Sequence, residues 1–293
     1  MRRVRHLNHV VADAHCHTNP VKGIGARVIA EKFKKSDGWF IAIVSLPPWS
    51  YGLGGGLLDD YKKVVEILLH ECENAKEAGL EVSCIGGFHP AIIDRLADQG
   101  MELEKVRELG LKVIDYVATL CRQGVLDGIG EVGRQHYKTM PERVVLAEEL
   151  LEYTLEVARD SNCIVHLHLE NAGTYTVSSV SRTMRKIGLR NPTRIIFHHV
   201  TTRMLAYIVD NNLSSTVPGL EGVLLKIAEQ KIEPRYMIES DYIDDPKRPG
   251  VVTYPWNLSM VQKRLFEKGL FDEDYLFKIN VDMIEKVYDK KYK

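Results

Sequence analysis

Short apolar runs alternate with longer amphipathic stretches along the 293-residue chain. The runs Val10–His15, Trp39–Leu46, Glu81–Phe88, Leu126–Glu131, Cys163–Leu169, Arg194–His199, Leu213–Val217 and Tyr236–Asp241 have the length and composition of buried strands. Between them, Leu58–Ala78, Met101–Arg122, Glu142–Arg159 and Leu220–Gln230 repeat apolar residues at helical spacing. Gly79, Gly124 and Gly188 follow helical stretches, where a left-handed stop is expected. Strands alternating with helices point to a parallel sheet. Eight of them predict an α/β fold, a single (β/α)8 TIM barrel over residues 1–293, for which ~250 residues suffice. Residues 257–293 follow the eighth strand and read as a C-terminal helical extension that covers the barrel or forms an oligomer contact.

With 45% apolar residues, the chain has enough material for a sizeable core. The formal net charge is −1, which argues against a broad basic footprint for long duplex nucleic acid. Cys16, Cys72, Cys84, Cys121 and Cys163 are odd in number and contain no CxxC pair, so they are expected to be reduced thiols in a cytoplasmic protein. The opening Met-Arg-Arg-Val-Arg lacks the apolar stretch of a signal peptide. No apolar run approaches the ~20 residues needed to span a bilayer, so no membrane association is expected. Oligomeric state is not legible.

Chemistry collects at the C-terminal ends of the strands, where a barrel of this kind carries its active site. His15 and His17 end the first strand, His89 the third and Glu131 the fourth. His166 and His168 lie on the fifth, His198 and His199 end the sixth, and Asp241 ends the eighth. Side chains alternate along a strand, so His15 and His17 can both point into one mouth. Imidazoles with carboxylates suit zinc, manganese or magnesium. Glycines flank Glu131 in Gly128-Ile-Gly-Glu-Val-Gly133 and let the backbone approach closely, as a carboxylate bridging two ions requires. The segment Pro47–Gly56 is glycine-rich without a Walker Gly-Lys-Ser/Thr, and reads as a flexible loop or as a lid offering Trp49 and Tyr51 to a substrate.

From Val11 to about Pro246 the sequence resembles the TatD family of metal-dependent hydrolases, and its archaeal TatD-related branch most closely. Asp13-Ala-His-Cys-His17 is similar to the family's Asp-x-His-x-His, and Gly86-Gly-Phe-His-Pro90 to its Gly-x-His-Pro. Ile129-Gly-Glu-Val-Gly133 is similar to Ile-Gly-Glu-Ile-Gly, and Glu239-Ser-Asp241 to Glu-Thr-Asp. The resemblance implies two divalent ions held by His15, His17 and Asp241, by a bridging Glu131, and by one histidine each from strands five and six. His168-Leu-Glu-Asn-Ala172 is similar to the family's His-Ser-Arg-Asp-Ala, and the resemblance thereby implies His168 as the ligand, with the more deeply placed His166 behind it. If Phe197 faces the barrel interior, His199 is the ligand rather than His198. Three departures stand out: Glu170 replaces an Arg, Arg134-Gln135 replaces Leu-Asp, and His199-Val-Thr replaces Cys-Phe-Ser. Arg134, or Lys247 and Arg248, could supply substitute phosphate contacts.

The chemistry implied is hydrolysis by a metal-activated water, with Asp241 as both ligand and general base and His89 orienting substrate or stabilising charge. The resemblance points first to a deoxyribonuclease or phosphodiesterase acting on DNA or nucleotide ends. A hydrolase of a small amide, ester or lactone is a second, and a metal- or nucleic-acid-binding protein without catalysis a third.

Overall fold

The computed structural model describes residues 9–247 and 252–293. The strands β1 (Val11–Cys16), β2 (Gly38–Val44), β3 (Glu81–Gly86), β4 (Gly128–Gly133), β5 (Ile164–His168), β6 (Ile195–Phe197), β7 (Ser214–Pro218) and β8 (Met237–Glu239) lie in chain order. Every neighbouring pair is parallel. The helices Leu58–Glu77, Leu103–Arg122, Pro141–Ser161 and Glu221–Glu229 form where helical spacing predicts them. Gly25–Lys34, Thr174–Lys186, Thr202–Asp210 and Asn257–Glu267, which follows β8 and packs beside Glu221–Glu229 and β1, complete the outer ring, and Ala91–Asp98 is an additional helix after β3. The seam between β8 and β1 closes at the barrel mouth. There the Asp241 amide donates to the His15 carbonyl at 3.0 Å, and the His17 amide donates to the Tyr242 carbonyl at 2.8 Å. The fold is the expected (β/α)8 barrel, and its last seam runs through candidate site residues.

Strand alternation sorts the apolar side chains into two layers. Ile41, Ile43, Val165, Leu167, Ile195, Phe197 and Ile238 face the helices in the larger core. Ala12, Ala14, Phe40, Ala42, Val44, Ile85, Ile164, Ile196 and Met237 fill the interior. The interior residues on β1 are small, which leaves central space for larger side chains from elsewhere.

Part of that space is filled from below. After the helix Asn257–Glu267, the chain forms a short helix Glu273–Phe277, a π-helical turn Lys278–Asp282 and a last helix Met283–Tyr288. Val281, Met283, Ile284, Val287 and Tyr288 join the interior layer. Asn280 ties them to the bottom of the barrel: its side-chain oxygen accepts from the Ala12 amide at 3.0 Å, and its carbonyl accepts from Trp39 Nε1 at 2.8 Å. The extension therefore covers the barrel floor. No helix among the described residues is long and apolar enough to cross a membrane.

The cysteines depart from expectation. Cys72 is bonded to Cys84 and Cys121 to Cys163, with Cα separations of 6.2 and 6.3 Å, and Cys16 is free and buried. Each bridge links the far end of an outer helix to the adjoining strand or its entry. That proximity is created by helix-on-sheet packing and leaves no short-range spacing in the sequence. Alkylation of the denatured, unreduced chain is expected to find one free thiol, whereas five would remove both bridges. Reduction should cost about 3–4 kcal/mol of stability per bridge from loop-closure entropy, read by denaturant unfolding.

Candidate metal centre

Alternation also decides which histidines meet. On β5, Val165 and Leu167 face the helices, so His166 and His168 point inward. On β6, Ile196 is interior and Phe197 is exterior, opposite to the parity expected from sequence, and His198 therefore turns inward. His198 is buried, with Nε2 3.4 Å from Glu131 Oε1. His199 lies beyond the strand at φ +56° with its side chain 45% exposed, and its Nδ1 stands 3.0 Å from Asp241 Oδ2. The parity behind its preference over His198 does not hold, because Phe197 packs outward, although His199 still shares with His198 and Glu239 a group whose ligand atoms lie within 4.8 Å of one another.

Glu131 sits at the centre, 5% exposed. His168 Nδ1 lies 2.9 Å from its Oε1, while His17 Nε2 lies 3.5 Å from its Oε2. His15 Nε2 at 3.9 Å and His89 Nε2 at 4.0 Å complete a cage of five imidazoles with His198. Glycine makes this crowding feasible. A Cβ on Gly130 would sit 2.7 Å from the His166 Cβ, so β4 could not lie this close to β5 with any other residue there.

The hydrogen-bond partners fix several tautomers and show what the donor set suits. His17 Nδ1 is 2.8 Å from the Val44 carbonyl, which can only accept, so Nε2 presents a lone pair to the centre. His198 Nδ1 is 2.7 Å from Glu239 Oε2, which likewise aims Nε2 at Glu131 in the carboxylate–histidine arrangement common behind metal ligands. His168 Nε2 is buried without a partner. The sets His15–His198–Asp241, His15–His17–Glu131 and His89–Glu131–His168 each bring their ligand atoms within 4.8 Å of one another, and Glu131 belongs to two of them. These donors fit divalent cations. His89 fits a different role, because its Nδ1 accepts from the Ala91 amide at 3.0 Å and its neutral ring then carries the proton on Nε2, facing the cavity.

Charge in the site is polarised. Burial would raise the Glu131 pKa, but the His168 hydrogen bond and the surrounding imidazoles hold it well below the usual carboxylate range. Burial and neighbouring rings press His89 and His166 down to about 3. Burial also acts downward on His198, yet Glu239, Asp241 and Glu131 prevail and lift it to about 9. His199 reaches about 10 in the same way, against burial, through Asp241 and Glu239. Asp13 rises to about 7 from burial, opposed by the Ser240 and His15 amides it accepts from.

Above the cage lies a cavity of about 290 Å³ lined by His17, His89, Glu131, His168, His198 and Asp241, with Trp49, Leu46 and Pro47 forming a wall. Tyr51 is absent from this lining: its hydroxyl, buried, binds the Leu46 amide and Thr18 carbonyl instead. The Gly-rich segment is partly tied down, since Gly55 donates to Asp60 and accepts from Tyr61. Arg134 is also withdrawn. Its guanidinium is clamped by both Glu170 oxygens at 2.8 and 2.9 Å and by Glu148 at 2.7 Å. Two departures from the family pattern, Arg134 and Glu170, are thus one ion pair. Lys247 is exposed, and Arg248 falls outside the described residues.

Asn19, His136 and Asp245 line the cavity and were missed from sequence, as was the role of Glu239 behind His198. Glu239 had a signal, because it lies two residues before Asp241 on β8. His136 had none: it lies on the loop after β4, and its ring comes 4.6 Å from that of His168 only through tertiary packing.

His198→Ala is expected to weaken metal binding at least tenfold, while His199→Ala retains the metal stoichiometry of the parent, measured by equilibrium dialysis with elemental analysis. With His198 raised to about 9, metal must displace its proton at neutral pH. Affinity should therefore rise by about tenfold per pH unit between roughly pH 6.5 and 9 for each proton released. A pH-independent affinity would exclude His198 as a ligand.

The family model described as TatD related DNase matches residues 12–289. An uncharacterized protein of the archaeon Methanocaldococcus jannaschii is 29% identical over 280 residues, covering 95% of each chain. Among solved structures, the TatD homolog YjjV of Escherichia coli K12 superposes with a TM-score of 0.67 at 15% identity, covering 96% of this chain and 98% of its own. The phosphotriesterase homology protein of Escherichia coli, solved with phosphate in its active site, gives 0.64 at 13% identity, covering 96% and 99%. The family model spans the strands that carry every cage residue, and the chain belongs to the TatD family of metal-dependent hydrolases.

Proposed function

We propose that the protein hydrolyses a phosphoester presented by one nucleotide-sized unit, either a strand terminus or a small molecule. The observation carrying this reading is the cavity of about 290 Å³ directly above the imidazole–carboxylate cage. It lies at the lower end of the ~300–1,000 Å³ typical of ligand pockets and has room for a terminal residue but none for a duplex. The match to a family described as TatD related DNase supports the phosphoester.

His15, His17, His168, His198, Glu131 and Asp241 would hold divalent ions, with zinc, manganese and magnesium all suited to the donors. Such ions supply Lewis acidity and lower the pKa of water towards ~7. Asp241 has one oxygen engaged by His199 at 3.0 Å, and its other oxygen faces His17 at 3.8 Å. The oxygen facing His17 accepts the proton of the attacking water as the new P–O bond forms. The His89 Nε2–H donates to the charge developing on the phosphoryl oxygens. The leaving oxygen departs with the ester bond's electron pair and takes up the proton that Asp241 accepted from the water. Trp49 offers an aromatic face at the wall, braced from behind by Arg95 with its guanidinium carbon 4.7 Å from the ring centroid.

A second reading, a small carboxylic ester, lactone or amide, is favoured by the sequestration of Arg134 and by the lack of Lys or Arg among the described residues lining the cavity. The two are separated by assaying metal-reconstituted protein on bis-p-nitrophenyl phosphate and single-stranded oligonucleotides against γ-lactones and p-nitrophenyl acetate. Turnover of the phosphoesters, lost by about 10²–10⁴ in Asp241→Asn with unchanged circular dichroism, is expected. Activity confined to lactones or carboxylic esters would transfer the assignment to the second class. A fully active Asp241→Asn would sink the mechanism for both.

A further inference from the structure

The last helix reaches the metal centre from the opposite end of the barrel. The Tyr288 hydroxyl lies 2.9 Å from the Ala14 carbonyl and 2.9 Å from His166 Nε2. His166 Nδ1 lies 2.9 Å from His15 Nδ1, and His15 Nε2 lies 3.2 Å from His17 Nε2. All of these side chains are fully or almost fully buried, and Tyr288 is fixed by packing on Phe40 with ring centroids 4.8 Å apart.

Each proton in this chain constrains the next. The Ala14 carbonyl can only accept, so it takes the single hydroxyl proton of Tyr288. The hydroxyl oxygen then accepts from His166 Nε2–H. A fully buried His166 with no carboxylate bonded to either nitrogen is neutral, and its Nδ1 therefore carries a lone pair. His15 must donate to it from Nδ1, which leaves His15 Nε2 unprotonated. In a neutral His17, Nε2 is a lone pair too, since its Nδ1–H serves Val44. Two imidazole lone pairs then face each other across 3.2 Å, an arrangement that repels by itself and is relieved by a cation between or beside them. Were Tyr288 to donate to His166 instead, every proton would shift by one place. His15 Nε2–H would then point at His17 and close the site to metal, and Tyr288 would confront the Ala14 carbonyl oxygen with no proton between.

We propose that Tyr288 is a positioning residue for the metal centre, acting through His166 to hold His15 in the tautomer that presents Nε2 as a ligand. The proposal rests on the reading of His15 as a metal ligand and makes the C-terminal extension a part of the site.

Tyr288→Phe removes only the hydroxyl. Zinc affinity is measured by competition with a chromophoric chelator, and the change in melting temperature on adding zinc is recorded for both proteins. Affinity is expected to fall 10–100-fold, the usual cost of losing a hydrogen-bond partner behind a ligand. The metal-free variant should keep the parent circular dichroism. Long-range ¹H–¹⁵N spectra of histidine-labelled, metal-free protein should show His15 protonated at Nδ1 and His166 at Nε2 in the parent, and a changed His166 tautomer in the variant. His166→Gln should weaken zinc binding as well, and the double variant should lose less than the product of the two single losses. Zinc affinity within twofold of the parent in a folded Tyr288→Phe, or a parent His15 protonated at Nε2, overturns the relay. A parent that binds no zinc overturns the ligand reading beneath it. None of these readouts depends on which ester, if any, the protein hydrolyses.

Discussion

A carboxylate withdrawn from water to 5% exposure and set among five imidazoles is the constraint around which the barrel mouth is organised. Burying an isolated carboxylate costs several kcal/mol, and the cost is offset only by donors or cations placed against it. His168 supplies one short hydrogen bond. The others stand at 3.4–4.0 Å, too long for hydrogen bonds, and His17 and His198 have their outer nitrogens bound to Val44 and Glu239 with Nε2 left aiming inward. Glu131 thus has one short hydrogen bond and four more imidazoles at longer range, in a cage whose remaining donor capacity suits cations.

The same demand explains features that look unrelated along the chain. Gly130 lets β4 approach β5 within contact of His166, and a buried Glu239 under His198 prevents that ring from turning away. Asp13, the first residue of the Asp-x-His-x-His pattern, accepts the Ser240 and His15 amides and so joins β1 to the segment carrying Asp241. Both strands must be held together there, because no regular ladder closes the barrel between β8 and β1. The candidate metal centre and the closing seam are supported by the same hydrogen bonds.

Legibility in the sequence followed the range of the forces involved. Strands and long helices were readable because a period of two or 3.6 residues is a local record of burial. His15, His17, Glu131 and Asp241 were findable as groups at the same end of three different strands. Parity failed at β6, a strand of three residues, where Phe197 alone gave no means of telling which layer it joins. Tyr51 and Arg134 kept their residue types but lost their expected partners, the first to backbone groups and the second to Glu170 and Glu148. An ion pair between residues 134 and 170, on the loops after β4 and β5, or a bridge between 121 and 163, is decided only when the strands and helices assemble.

Sequestration of Arg134 changes what the substrate must bring. A phosphodiester at this mouth meets Asp241, Asp245 and Glu131 with no described Lys or Arg lining the cavity, so its charge must be met by bound cations and by N–H donors such as His89. Steering of a polyanion over long distance is correspondingly weak, as the net charge of −1 already suggests. Binding would then depend on contacts made inside about 290 Å³: the Trp49 wall, the His89 proton and the ions themselves. On the proposed phosphoester reading, a substrate held by these groups would be discriminated by the shape and size of the unit that enters. Sequence along a strand, or charge spread over many phosphates, has little purchase on such a site.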